Sequence, residues 1–166
     1  ITAEMEGHPD NAAPAILGGF CMALIENGNV VAERIDIPSQ WKAVVAIPDF
    51  ELHTEKARAV LPASYVRSDV VHNIGAVSFL MAAFMYNKPE YLKFGLDDHV
   101  HVPYRLGLIP GSEEVIRSSV KAGAYGATIS GSGPTIIAFS PSDKAHLVGE
   151  SMVSTFKHHG ITSSYI

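Results

Sequence analysis

Two stretches far apart in the chain hold the residues whose types and spacing could do chemistry. The first, Glu6-Gly7-His8-Pro9-Asp10-Asn11, gathers two carboxylates, an imidazole and an amide. Asp10 can accept from a hydroxyl or an ammonium group, His8 can donate, and Asn11 can do either. Glu6 is a hard oxygen donor of the kind Mg2+ takes. The plain structural alternative is that Asp10 or Asn11 caps the next helix while Pro9 sets the turn. The second stretch is Gly123-Ala124-Tyr125-Gly126-Ala127-Thr128-Ile129-Ser130-Gly131-Ser132-Gly133-Pro134-Thr135. Gly131 and Gly133 permit positive φ and close backbone approach, and consecutive N–H groups in such a turn form an anion-binding nest. A tight strand-to-strand connection would use the same glycines. No helix follows directly, so the loop is neither a P-loop nor a dinucleotide fingerprint. Together the two stretches point to a polar, phosphate-bearing reaction.

Two arginines extend that reading. Arg58, in Thr54-Glu55-Lys56-Ala57-Arg58, could clamp a carboxylate with both oxygens. It could equally pair with Glu55 at i,i+3 on a solvated helix face. Arg105, in Pro103-Tyr104-Arg105-Leu106, has the same carboxylate role open to it, or could bind carbonyls left free at a helix end. The histidines form no zinc pattern by spacing: His99 and His101 are two apart, His158-His159 end a helix, and His72 reads as a satisfied core group. Ser130 and Ser132 lack the spacing of a nucleophile elbow, which excludes a serine hydrolase of that kind.

The bulk composition narrows the field. With 166 residues, 47% hydrophobic, the chain has material for about one domain and a real core. A net charge of −5 argues against a nucleic-acid partner, which would need a basic stripe. The single cysteine, Cys21, allows no internal disulfide, and a reducing compartment is the default. No continuous apolar run reaches about 18 residues and no signal peptide is visible, so a cytoplasmic protein with no membrane partner is expected. A start at Ile1, close to a dense motif, reads as a piece of a longer protein.

The elements that must position these residues follow from periodicity and punctuation. A short helix is predicted from Asn11 to Phe20, ended by Gly18-Gly19. Cys21–Ile25 and Val30–Ile37 flank Asn27-Gly28, a strong hairpin signal. Trp41–Ile47 reads as a buried strand. Thr54–Leu61 is a helix capped near Thr54 and ended by Pro62. Asp69–Tyr86 is a long helix whose Val70, Val71, Ile74, Val77, Leu80, Met81 and Phe84 form one broad buried face. Another helix is predicted from Pro89 to about His101. Ser112–Ala122 is a helix with Ser112 as its N-cap. Thr128-Ile129 and Thr135–Phe139 are strands around the glycine loop, followed by a helix from Asp143 to His159 and a strand from Ile161. This mixture favours an α+β two-layer sandwich, and the closing order of elements suits a ferredoxin-like split.

Taken in order, EGHPDNAAPAILGGF at 6–20, HTEKARAVLP at 53–62, PYRLGLIPG at 103–111 and GAYGATISGSGPT at 123–135 resemble the C-terminal portion of the homoserine kinases of the GHMP small-molecule kinase superfamily. The resemblance implies transfer of the γ-phosphoryl group of ATP to the side-chain hydroxyl of L-homoserine, with Mg2+. Arg58 and Arg105 match the arginines that hold the substrate carboxylate. His8, Asp10 and Asn11 match the segment lining the substrate, and Thr54 a threonine near the hydroxyl. Glu6 is the candidate magnesium ligand. Gly131, Ser132 and Gly133 match the loop that closes under the site. Residues 1–20 would be a remnant of the N-terminal domain and 21–166 the GHMP-type C-terminal domain. The family's nucleotide loop, Pro-x-x-x-Gly-Leu-x-Ser-Ser, is absent from these residues, so the chain alone is expected not to turn over. Its partners would be L-homoserine and an N-terminal half, and dimers are common in the family. A sibling kinase for another alcohol, or a non-catalytic module that binds a small amino acid, are the alternative readings.

Overall fold

The structure, a computed structural model, describes residues 8–166. Its centre is a four-stranded antiparallel sheet in the order β4-β5-β3-β6, made of β3 (Trp41–Pro48), β4 (Gly126–Ile129), β5 (Ile136–Pro141) and β6 (Ser163–Tyr165). Counting only these strands in chain order, the arrangement is the 4-1-3-2 order of a ferredoxin-like split, as the sequence led us to expect. Register is set by Val44 opposite Ala138 and by Ala127 opposite Ala138 on the other edge of β5.

Two helices cover one face: α6 (Ser112–Lys121) and α7 (Ala145–His158). Strand side chains alternate faces, so Val44, Ala46, Ile136 and Ala138 all point to these helices. They meet Val115 of α6 and Val148, Met152 and Phe156 of α7, which recur every four residues and are fully buried. Burying each such side chain contributes about 1.5–3 kcal/mol.

The opposite face holds Trp41, Ile137 and Phe139. The long helix α3 (Arg67–Met85) crosses it, and Phe84 packs edge-on against Phe139 and tilted against Trp41. The broad apolar face predicted for α3 is covered only at this end. Ala83 and Phe84 are buried, but Val70, Val71, Ile74 and Val77 are exposed. The 3.6-residue period tells which residues share a face; it does not supply a cover for them. By length and mean hydropathy α3 is also the one helix among the described residues apolar enough to cross a membrane, although Asp69, His72, Asn73 and Ser78 interrupt its apolar run.

The hairpin lies apart as a sheet of two strands, β1 (Phe20–Glu26) and β2 (Asn29–Ile35). Its two-residue turn, Asn27-Gly28, takes positive φ at both positions, which matches the right-handed twist of the strands. Before it stands the short helix α1 (Ala12–Leu17).

The segment from Pro89 to His101 is not one helix. It is a 3-10 turn (Pro89–Tyr91), a short helix α4 (Leu92–Gly95) and a bend. A second short helix, α5 (Val102–Arg105), then opens with Pro103 in its first turn, where a missing N–H costs nothing. Two predicted caps also differ. Helix α2 (Thr54–Ala59) is preceded by His53 as N-cap, so Thr54 is its first residue. Gly111, with φ of 77°, stands before α6, and the Ser112 hydroxyl instead donates to the Leu106 carbonyl at 3.0 Å.

Candidate active site

The segment just before α1, helices α2, α3, α4 and α5, and the glycine loop converge on one cavity of about 810 Å3. His8, Asp10, Asn11, Thr54, Arg58, Arg105, Gly131 and Ser132 all line it. Eight of the sequence-predicted site residues are thus brought together. Glu6 lies outside the described residues. Gly133 does not line the cavity: its φ is 82°, and a Cβ there would come within 2.6 Å of Ile109 Cδ1. Gly133 is a glycine because of backbone conformation and packing, and it supports the loop from behind.

Local hydrogen bonds hold the groups in place. Arg58 Nη2 lies 3.0 Å from His8 Nε2, and a guanidinium only donates, so that imidazole nitrogen is the acceptor. His8 Nδ1 then carries the proton and donates it to Asp10 Oδ1. The Asp10 carboxylate also accepts from the Asn11 N–H at 3.0 Å. A relay Arg58–His8–Asp10 therefore links α2 to the first motif. The Arg58–Glu55 pairing open at the sequence level is not among the ion pairs of the described residues.

Arg105 does bind carbonyls, but those of α2 and of the glycine loop rather than of a helix ending just before it. Its Nη1 donates to the Gly131 carbonyl at 2.9 Å and its Nε to the Ala57 carbonyl at 3.3 Å. The arginine staples the glycine loop to α2 and still lines the cavity. Thr54 Oγ1 and Ser132 Oγ face each other at 3.4 Å across the same gap. Within the loop, the Ser130 N–H is taken by Thr135 O and the Gly133 N–H by Ser130 O.

Sequence reasoning missed part of the wall. Asn73, Val77 and Leu80 of α3 line the cavity, as do Asp98, His101 and Val102. The one available signal was the run Asp97-Asp98-His99-Val100-His101 just before Pro103-Tyr104-Arg105. Burial pushes the Asp98 carboxyl up, but its bonds from Asn73, the Val100 N–H and the His101 N–H, with the His101 imidazole nearby, outweigh this and hold it below its ordinary 3.8. His72 is not a core group either. Its ring stacks on His99 with centroids 3.8 Å apart, and its Nε2 lies 3.1 Å from Asp97 Oδ2. His72, Asp97 and His99 are the one trio among the described residues whose ligand atoms are close enough to share a metal ion. They come from α3 and the loop after α4, so no sequence spacing announced them.

A split antiparallel sheet backed by two helices thus brings a glycine loop and two arginines to one cavity. Residues 90–158 match the family model described as GHMP kinases C terminal. The chain's similarity is to homoserine kinases in particular. The homoserine kinase of Carboxydothermus hydrogenoformans is 45% identical over 166 residues, covering 100% of this chain and 54% of the relative. That of Desulfitobacterium hafniense is 42% identical over 163 residues, covering 98% and 55%. The crystal structure of homoserine kinase from Cytophaga hutchinsonii superposes with a TM-score of 0.89 at 32% identity, covering 96% of this chain and 50% of that one. The chain spans about half the length of the curated relatives it matches.

Proposed function

We propose that this chain forms the homoserine side of an ATP-dependent homoserine kinase, which phosphorylates the side-chain hydroxyl of L-homoserine. One observation carries the reading: Arg58 and Arg105, distant in sequence, line the same cavity as His8, Asp10, Asn11 and Thr54. Homoserine offers a carboxylate, an ammonium group and a hydroxyl. Two guanidinium groups suit the carboxylate. Asp10 suits the ammonium group or the hydroxyl, and Thr54 orients the hydroxyl. A substrate without a carboxylate would leave both arginines unmatched.

Phosphoryl transfer asks the protein mainly for positioning and charge neutralisation. Asp10 and Thr54 are therefore orienting groups, and the Arg58–His8–Asp10 relay fixes the carboxylate that does the orienting. When bound, ATP supplies the phosphoryl group and Mg2+ offsets its charge. The exposed Asp10 carboxylate and the Asn11 amide oxygen are hard donors that fit Mg2+, directly or through water. Glu6 would join them. The donor set does not fit the triphosphate: the sequence has no Pro-x-x-x-Gly-Leu-x-Ser-Ser loop, and the glycine loop spends two of its N–H groups on itself. In this reading residues 1–20 belong with an N-terminal domain that supplies the nucleotide loop, and 21–166 form the C-terminal one. A homodimer in the cytoplasm is the expected setting.

The test is a fusion of the first half of the Carboxydothermus hydrogenoformans kinase to this chain, assayed for ADP release. Turnover that needs homoserine, appears only in the fusion and is lost in Arg58→Ala is the expected result. Turnover by the 166-residue chain alone, or by a fusion that accepts mevalonate but not homoserine, would overturn the reading.

A further inference from the structure

Helix α5 carries Arg105 yet has only four residues, too few to hold itself in water. Its own N-cap residue, His101, makes no capping bond through its side chain. The bend before it is organised by another group. Asp98 Oδ1 accepts from the Val100 N–H at 2.5 Å and the His101 N–H at 3.0 Å, and Oδ2 from the Val102 N–H at 3.4 Å. Three successive N–H groups thus wrap one carboxylate and aim the chain into α5. Asn73 of α3 completes the arrangement. Its Nδ2 donates to Asp98 Oδ1 at 2.9 Å, and its Oδ1 accepts from the His99 N–H at 2.8 Å.

Granting the homoserine reading of the cavity, we propose that Asp98, anchored by Asn73, is the positioning residue that aims Arg105 at the substrate carboxylate. Asp98 lines the cavity, which raises the rival role of direct ligand to the ammonium group or to Mg2+. Its bonding argues against that. Oδ1 already takes three donors, and Oδ2 takes the Val102 N–H and lies 3.3 Å from His101 Nδ1. A carboxylate with its lone pairs occupied by the protein acts through the backbone it holds. The chain of effect runs from Asn73 to Asp98, to the first turn of α5, to Arg105, and through Arg105 to Ala57 and Gly131.

The experiment compares L-homoserine with 3-aminopropan-1-ol, its carboxylate-free analogue, in the same fusion enzyme. The readout is the ratio of kcat/KM for the two alcohols. Asp98→Ala is expected to lower that ratio roughly tenfold, mainly through the KM for homoserine, as for loss of a well-placed charged hydrogen bond. Asp98→Asn keeps an Oδ1 acceptor and is expected to retain most of the ratio. In an Arg105→Ala background Asp98→Ala should add little, because the two changes remove one effect. An unchanged ratio in Asp98→Ala, or full additivity with Arg105→Ala, would overturn the proposal. If Asp98→Ala does not fold, Asn73→Ala decides: it leaves the three backbone bonds in place and should still lower the ratio, and an unchanged ratio would overturn the proposal. A wild-type fusion without preference for homoserine, unaltered by Arg105→Ala, would instead sink the homoserine reading and this role with it.

Discussion

The two faces of the central sheet are built from the same alternating strands and end differently. Toward α6 and α7, Ile136 and Ala138 meet Val148, Met152 and Phe156, and all are fully buried. Toward α3, Phe139 meets Phe84, but nearly three turns further up the helix Ile74 is 66% exposed. Both faces carry the apolar pattern that a core needs. One is closed by elements of this chain and the other is closed over part of its length. The cavity sits between them, walled by the sheet end at Thr128 and Ile129 and by the partly covered stretch of α3 at Asn73, Val77 and Leu80. The difference teaches that an apolar pattern contributes stability only where something packs on it.

Four substitutions would break or sharpen that contrast. The largest effect is expected on the closed face. Phe156→Ala should cost about 3–5 kcal/mol in urea unfolding, as a fully buried aromatic does. A loss below about 1 kcal/mol would mean that this face is no better packed than the other. At the boundary, Arg58→Ala should weaken homoserine binding to the fusion enzyme roughly 10- to 100-fold by calorimetry, the range for hydrogen bonds to a charged group. In the hairpin, where few side chains are covered, the backbone should matter more than packing. Gly28 has φ of 79° and open space around it, so Gly28→Ala should cost about 1 kcal/mol of strain alone, read from the melting temperature. The smallest effect is expected on the open face. Ile74→Ser should change the stability of the 166-residue chain by less than about 0.5 kcal/mol. The same change in the fusion would cost more if the added half packs on α3, which makes Ile74 a probe for that cover.

Much of this was legible in the residues. Asn27-Gly28 announced its hairpin because positive φ at two successive positions is a local demand. The closing helix, expected from Asp143 to His159, was legible too and runs from Ala145 to His158. The site motifs were legible as a set: His8, Asp10, Asn11, Thr54, Arg58 and Arg105 all reach the one cavity. What stayed hidden depends on contacts between distant segments. Pro89 to His101 looks helical residue by residue, but Asp98 collects the N–H groups of a bend that only Asn73, on another helix, completes. Thr54 and Ser112 are good capping residues by type. The chain places His53 and Gly111 at those positions, and the two hydroxyls bond elsewhere. Gly133 resembled a ligand-approach glycine because its packing against Ile109 comes from a distant loop.

The two carbonyl bonds of Arg105 have a consequence for the timing of entropy loss. A free arginine side chain carries about 2 kcal/mol of rotamer entropy that ordering removes. With Nη1 on Gly131 and Nε on Ala57, that ordering has happened when the chain folds. Under the proposed function, an incoming carboxylate would meet a guanidinium that is already still, so little of its attraction would be lost to freezing the arginine.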